Sequence, residues 1–196
     1  KLAAQVMAID VATRHGELRG GTRYPYDALL LATGAEPVKL DVPGSDLPHV
    51  HYLRTLADCS ALLAGALTSK RVVVIGASFI GLEVASSLRA RKLEVHVVGR
   101  ESALMEKVLG APVGVFLRKL HEEHGVVFHL DAAVSAIAAQ RVTLAGGETR
   151  AADIVGAGVG VRPVGAVAGA VLVAPSPGAA AVVLAGLNVT CTERDR

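Results

Sequence analysis

The chain has 196 residues, which is enough for one or two domains of ordinary size. Hydrophobic residues make up 52% of it and aromatic residues only 3%, so aliphatic side chains must fill the interior, as in parallel sheets buried on both faces. The 20 lysines and arginines are interspersed with 18 acidic residues, and the formal charge is +2. This even pattern lacks the basic stripe that binds a polyanion, so we expect no nucleic-acid partner.

The two cysteines, Cys59 and Cys191, form neither a CxxC redox pair nor a metal-ligand cluster, and we expect a reducing compartment, the cytoplasm. The first residues lack the basic and apolar pattern of a signal peptide, and we expect them to come from the interior of a longer protein. Residues 163–192 carry no charge, and this run exceeds the roughly 20 residues that span a bilayer. Pro175 and Pro177 interrupt it, so we expect no transmembrane helix.

The N-terminal part of the chain predicts short strands followed by a helix. Alternating residues and glycine turns predict an antiparallel meander over residues 4–24. Residues 26–32 (YDALLLA) predict a buried strand, and the proline-containing stretch that follows predicts a loop or crossover. Thr55 and Asp58 have the spacing of a capping box, which predicts a helix over residues 55–67.

The middle of the chain predicts a β-α-β unit. Residues 71–75 (RVVVI) form a β-branched strand, residues 79–92 a helix with one apolar face, and residues 94–98 a second strand. Pro112 begins another helix, which ends at Gly125. Further strands are predicted over residues 126–130, 134–138, 141–144 and 153–160.

The turn between the first strand and the helix of this unit is a variant of the dinucleotide-binding fingerprint. It consists of Gly76, Ala77, Ser78, Phe79, Ile80 and Gly81. A pyrophosphate needs a sharp turn and unpaired N–H groups at a helix N-terminus, and this position supplies both. Ser78 replaces the middle glycine of the usual pattern. The alternative interpretation is a strand–turn–helix packed with small residues and binding no ligand.

Ribose recognition by such a site uses an acidic residue about 20 positions beyond the last glycine. Glu101 lies there, just past the second strand, whereas Gly99 occupies the strand tip where the acid more often lies. The neighbouring Arg100 suits a 2′-phosphate instead. We expect NAD in preference to NADP, and the alternative is that Glu101 is a solvated loop carboxylate.

No metal site or catalytic side chain is predicted. The histidines of the segment 121–124 (HEEH) are three apart instead of the four of an HExxH zinc motif, which indicates a solvated helix end. The seven histidines are scattered and no nucleophile elbow accompanies them.

Taken together, five segments resemble the FAD-dependent pyridine nucleotide oxidoreductases, in the branch of the ferredoxin and rubredoxin reductases and the apoptosis-inducing-factor-like proteins. Their joint order and spacing are more specific than any single motif. The segments are YDALLLATGAEP (26–37), VPG (42–44), YLRTLAD (52–58), RVVVIGASFIGLEVA (71–85) and GVGVRP (158–163).

The resemblance implies a set of flavin contacts. The turn formed by Ala32, Thr33 and Gly34 resembles the family's second flavin-contacting motif, and Arg54 matches an arginine that binds FAD. Phe79 matches an aromatic residue that lies over the flavin and moves when nicotinamide enters.

The resemblance also implies contacts with the nicotinamide dinucleotide. The loop from Gly76 to Gly81 would hold the pyrophosphate, and Glu83 and Gly160 match residues near the nicotinamide. Glu101 and Lys107 match positions on the adenosine side. The implied cofactors are FAD and NAD, with NADP as the alternative. The implied reaction is hydride transfer from NAD(P)H to the flavin, followed by one-electron steps to an iron–sulfur carrier such as a ferredoxin.

The predicted fold class is α/β. We expect a Rossmann-like, three-layer NAD(P)-binding domain over residues 60–163, part of an FAD-binding domain over residues 1–59, and a low-complexity tail over residues 164–196. The family's first GxGxxG would precede residue 1 and its late Gly-Asp motif is not recognisable in the tail, so we expect this chain alone not to hold FAD tightly. Two alternatives stay open: a disulfide- or peroxide-reducing relative, and a non-catalytic nucleotide-binding or regulatory module.

Overall fold

The structure is a computed structural model, and it describes residues 1–164, 182–185 and 188–189. The first elements are β1 (Val6–Asp10), β2 (His15–Leu18), β3 (Arg23–Pro25), β4 (Leu30–Leu31), β5 (Ala35–Pro37), β6 (Val50–Tyr52) and α1 (Leu56–Thr68). The middle elements are β7 (Arg71–Ile75), α2 (Phe79–Ala90), β8 (Glu94–Val98), α3 (Glu106–Leu109) and α4 (Ala111–Glu123). The remaining elements are β9 (Val126–His129), β10 (Val134–Ala138), β11 (Arg141–Leu144), β12 (Thr149–Ala151), β13 (Ile154–Ala157), β14 (Val161–Pro163), β15 (Val182–Ala185) and β16 (Asn188–Val189).

The chain divides into two compact units. The larger unit comprises residues 37–161, and the smaller one comprises residues 1–36 together with the described residues from 162 onward. The larger unit starts at Pro37 and not at residue 60, where we expected the second domain to begin, because β6 and α1 pack with the sheet of this unit.

A five-stranded parallel sheet in the order β6-β13-β7-β8-β9 forms the centre of the larger unit. Val72, Val73 and Val74 of the central strand β7 are completely buried. Both faces of this strand therefore meet other layers, which is the environment that an unbroken β-branched run predicts. The predicted α/β class is confirmed.

Two hydrophobic cores lie on the two faces of this sheet. On one face, Leu62 of α1, Leu88 of α2 and Leu117 of α4 pack against alternate strand residues. On the other face, the core includes Ile137 and Val142 of the antiparallel sheet β10-β11-β12. The unit thus has three layers, as predicted, and the layer opposite the helices is the antiparallel sheet, which the sequence analysis did not specify.

The smaller unit contains the predicted meander. Strands β1, β2 and β3 pair antiparallel in that order, as residues 4–24 predict. Leu31 is buried in this unit, and it packs with Ile9, Val11 and Leu29. Strand β4 pairs in parallel with β15, which in turn pairs with β16, and β5 pairs with β14.

Several local predictions differ from the structure. The strand expected over residues 26–32 contains only the two residues of β4, since these two are paired with β15. The strand β6 lies in the stretch predicted as loop, and β12 follows the glycine turn at residues 146–147 without having been predicted. Each has only three residues, too few to show a periodic pattern.

Among the residues that the structure describes, no helix is long and apolar enough to cross a membrane. The uncharged run of residues 163–192 lies mostly outside the described residues.

Candidate functional site

The turn after β7 can be made only by glycine at its first position. Gly76 has a φ of +106°, and its N–H donates to the carbonyl oxygen of Val98 at 2.7 Å. A Cβ atom at Gly76 would also collide with the carbonyl of Gly158. Backbone conformation and lack of space therefore both require glycine here.

The second glycine of the motif brings the helix onto the turn. A Cβ atom at Gly81 would collide with the carbonyl oxygen of Gly76 and would lie 3.6 Å from the Val74 side chain. The first turn of α2 therefore packs directly against the end of β7, as the fingerprint requires of its last glycine.

The N-terminus of α2 presents backbone donors. Ser78 is the N-cap residue, and its side chain accepts the N–H of Gly81 at 3.3 Å. The N–H groups of Phe79 and Ile80 point along the helix axis and have no acceptor within the helix. Two amides and the positive end of the helix dipole are thus available to an anion.

The side chains of the loop differ in exposure. Ala77 is buried, whereas Phe79 is 46% exposed at the start of the helix. Ile80 and Glu83 lie further along, on a groove of about 410 Å³ between α1 and α2. Arg54, from the segment before α1, lines the same groove, so the structure brings Arg54 and Glu83 together.

Glu101 lies at the end of β8. Its Oε2 atom is 3.3 Å from the position that a Cβ atom at Gly99 would take, and that position is also 2.9 Å from the Cβ atom of Ala77. The carboxylate thus occupies the corner that a side chain at the strand tip would fill, beside the glycine loop. The neighbouring Arg100 is exposed.

The remaining predicted residues of the larger unit lie after strand ends. Gly160 follows β13 with a φ of +113°, and its carbonyl oxygen accepts the N–H of Val38 at 2.9 Å. Lys107 lies in the short helix α3.

The predicted flavin turn belongs to the smaller unit. Gly34 has a φ of +82°, and its carbonyl oxygen accepts the N–H of Val164 at 3.0 Å. The hydroxyl of Thr33 donates to the carbonyl oxygen of Val164 at 2.7 Å, and Ala32 is exposed. These bonds fix the turn that follows β4.

Gly158 belongs to the site, although sequence reasoning did not single it out. Its N–H donates to Ile75 at 2.8 Å, and a Cβ atom at this position would lie 2.9 Å from the amide nitrogen of Gly81. The signal available in the sequence was the glycine-punctuated end of the last strand, Gly158-Val159-Gly160.

An ion pair at the opposite end of the sheet aligns the two strands that lead to the site. Asp153, just before β13, accepts from the N–H groups of Lys70 and Arg71 and from the Arg71 guanidinium, which lies 2.7 Å from Oδ1. The hydrogen bond from the Arg71 side chain, followed by the backbone donors, lowers the pKa of Asp153 to about 2.

Comparison with known proteins assigns this arrangement to a family. The sequence profile of the pyridine nucleotide-disulphide oxidoreductases matches residues 1–192. The chain belongs to this family. The family predicted from the sequence is therefore confirmed.

Two relatives similar to this chain are named as reductases. Rhodocoxin reductase of Rhodococcus erythropolis is 39% identical over 163 residues, covering 81% of this chain and 38% of its own length. The ferredoxin–NAD(+) reductase component of the anthranilate 1,2-dioxygenase system of Burkholderia cepacia is 36% identical over 170 residues, covering 83% of this chain and 41% of its own length.

A solved structure of the family supports the same assignment. The ferredoxin reductase for the CYP199A2 system of Rhodopseudomonas palustris is 39% identical, with a TM-score of 0.75, and the match covers 85% of this chain and 43% of that protein. The chain therefore spans about two fifths of the length of the family members it matches.

Proposed function

We propose that this chain is the nicotinamide-dinucleotide-binding part, with some of the flavin-binding part, of an FAD-dependent NAD(P)H oxidoreductase. The parent protein passes hydride from NAD(P)H to FAD and electrons on to a ferredoxin- or rubredoxin-type carrier. Its relatives named for NAD(+), ferredoxin and rhodocoxin support this proposal.

The observation that carries the proposal is the glycine loop at the N-terminus of α2. Gly76 and Gly81 let α2 begin directly against the end of β7, where any side chain would collide with backbone, and the amides of Phe79 and Ile80 have no acceptor within the helix. These groups fit a pyrophosphate, because its oxygens accept hydrogen bonds and its charge is attracted by the helix dipole.

Glu101 is proposed to select the nucleotide. Its carboxylate lies at the corner beside Ala77, where it would accept hydrogen bonds from the ribose hydroxyls of NADH. A 2′-phosphate in the same place would meet a like charge, so we propose NADH over NADPH. Lys107 and Gly160 are proposed contacts at the adenosine and nicotinamide ends.

The flavin side of the proposal involves the groove between α1 and α2. Arg54 lines this groove with a cation and Glu83 lines it with a carboxylate. The nearby Phe79 has an exposed ring. The turn at Ala32, Thr33 and Gly34 is proposed as a further flavin contact. FAD, when bound, supplies the chemistry of hydride acceptance, and the protein positions the rings.

The partner is proposed to be a carrier with an iron–sulfur centre, and the compartment the cytoplasm. Such a carrier takes electrons one at a time, which suits a flavin that receives them in pairs as hydride.

Steady-state oxidation of NADH by the purified chain, with added FAD and a ferredoxin, tests the proposal. We expect NADH oxidation that increases with FAD concentration and reduces the ferredoxin. NADH binding without turnover at saturating FAD would count against an electron-transferring role for this chain by itself and favour a non-catalytic nucleotide-binding module. Stoichiometric flavin in the purified protein would show that the expectation of weak FAD binding is wrong.

A further inference from the structure

Ser78 occupies the middle glycine position of the fingerprint, and its hydroxyl has two partners. Oγ donates to the carbonyl oxygen of Gly158 at 2.6 Å and accepts the N–H of Gly81 at 3.3 Å. The backbone of Ser78 is extended, with φ −92° and ψ 176°, a conformation that does not require glycine. A serine thus fits the loop and adds a link that glycine lacks.

This link joins two segments that are distant in sequence. Gly81 lies in the first turn of α2, whereas Gly158 follows β13 and is itself fixed by its hydrogen bond to Ile75. Two residues after Gly158 comes Gly160, the proposed contact at the nicotinamide end. The hydroxyl therefore connects the proposed pyrophosphate-binding loop to the segment proposed to lie beside the nicotinamide.

The same hydrogen bonds determine which backbone amides of this turn are available to bind a ligand. The N–H of Gly81 is used by Ser78, so the first turn of α2 keeps the amides of Phe79 and Ile80 for an anion. The serine hydroxyl itself donates its hydrogen to the carbonyl oxygen of Gly158. Its hydrogen is therefore not directed at a ligand.

We propose that Ser78 is a positioning residue, a clasp that holds the N-terminus of α2 against the end of β13 without binding the nucleotide through its side chain. Removing the clasp lets the helix and the 158–160 segment separate, which disturbs the spacing between the two ends of the nucleotide site. This inference rests on the proposed function, because it assumes that the loop binds a nicotinamide dinucleotide.

Calorimetric titration of NADH into Ser78→Ala tests the clasp, with Ser78→Thr as the variant that keeps the hydroxyl. We expect Ser78→Ala to bind NADH about tenfold more weakly and Ser78→Thr to stay within about threefold of wild type. Ser86→Ala, the same change at an exposed position of α2, is the matched control and is expected to bind as wild type. If Ser78→Ala does not fold, Ser78→Gly replaces it.

Amide hydrogen exchange measured without nucleotide gives a second readout. The Gly81 amide is expected to exchange faster in Ser78→Ala than in wild type, since it loses its acceptor. Equal NADH affinity of wild type and a folded Ser78→Ala would overturn the positioning role, as would an unchanged Gly81 exchange rate. Failure of wild type to bind NADH would instead overturn the proposed function, while Gly81 exchange would still decide whether the clasp forms.

Discussion

In the usual fingerprint an acidic residue lies at the tip of the second strand. Here Gly99 lies at that tip, and the acidic residue, Glu101, follows two positions later. Because Gly99 has no side chain, the Glu101 carboxylate reaches back over the strand end, within 3.3 Å of the missing Cβ position. The prediction from spacing alone, about 20 residues past the last glycine, identified a residue that the structure places beside the loop.

Substitution of Glu101 by alanine tests its role in selecting the nucleotide. We expect wild type to bind NADH more tightly than NADPH, and Glu101→Ala to lose about tenfold in NADH affinity while gaining in NADPH affinity, since a repelling charge is removed. Calorimetric titration of both nucleotides measures this. Glu123→Ala, an exposed carboxylate on α4, serves as control, and unchanged discrimination in Glu101→Ala would remove Glu101 from the site.

Because of Asp153, we expect the free energy of unfolding of the larger unit to depend on pH. Its pKa is lowered to about 2 in the folded state, so it stabilises the fold at neutral pH, and this contribution is lost as the pH falls from about 4 towards 2. Asp153→Asn should lower the free energy of unfolding by about 1 kcal/mol at pH 7, discounted for the partly exposed arginine partner. Urea unfolding at pH 7 and pH 2.5 measures the difference.

The Asp153 effect should shrink at the lower pH. Asp46→Asn, the same substitution at an exposed carboxylate, is the control. A loss that stayed equal at both pH values would show that the ion pair with Arg71 is not its cause.

At the scale of single elements, α1 depends on its capping box. Thr55 Oγ1 accepts the N–H of Asp58 at 3.2 Å, and Asp58 Oδ2 accepts the N–H of Thr55 at 2.7 Å. Thr55→Ala should lower the free energy of unfolding by about 1 kcal/mol, because the amide of Asp58 loses its acceptor. Thermal unfolding of Thr55→Ala and of Thr68→Ala, at the other end of the helix, tests this. Equal losses in the two variants would argue against the cap.

The contact between β9 and β12 contains a histidine that we expect to make it sensitive to mild acid. His129 Nε2 lies 2.8 Å from Nδ1 of His96 and accepts from Nε of Arg150 at 3.2 Å, with Glu94 and Glu148 at the two ends of this network. Burial, followed by Arg150 and His96, lowers the pKa of His129 below its ordinary value of 6.5.

The unfolded chain therefore takes up a proton at His129 before the folded one, and stability is expected to fall as the pH drops below about 6.5. His129→Gln, which keeps an acceptor for Arg150, should flatten this dependence between pH 7 and pH 5. Urea unfolding across that range measures it. A slope as steep as that of wild type would exclude His129 as its source.

The elements that the sequence predicted best are those with long periodic or β-branched runs. The β-α-β unit of β7, α2 and β8 agrees with prediction within two residues at each end. The strands that prediction missed, β6 and β12, have three residues each and are held by pairing with distant strands. Gly158 was missed for the same reason, since its importance comes from a contact with Gly76 and Gly81 that sequence distance conceals.

At the scale of the whole molecule, neither the local patterns nor the family resemblance located the boundary between the two units. Periodicity predicted the parallel sheet, but it could not tell that β6 and α1 join this sheet across a proline-containing segment. The predicted flavin turn lies in the smaller unit, and the predicted nucleotide loop lies in the larger one. Each of these two turns is therefore built within its own unit.

The central claim is that the amides at the start of α2 bind the pyrophosphate of a nicotinamide dinucleotide. Titration of NADH into the isotopically labelled chain, followed by amide NMR, tests it most directly. We expect the largest shifts at Phe79 and Ile80, and we expect ADP-ribose, which retains the pyrophosphate, to reproduce them. Binding of NADH that left these two amides unmoved would contradict a pyrophosphate site at this helix end.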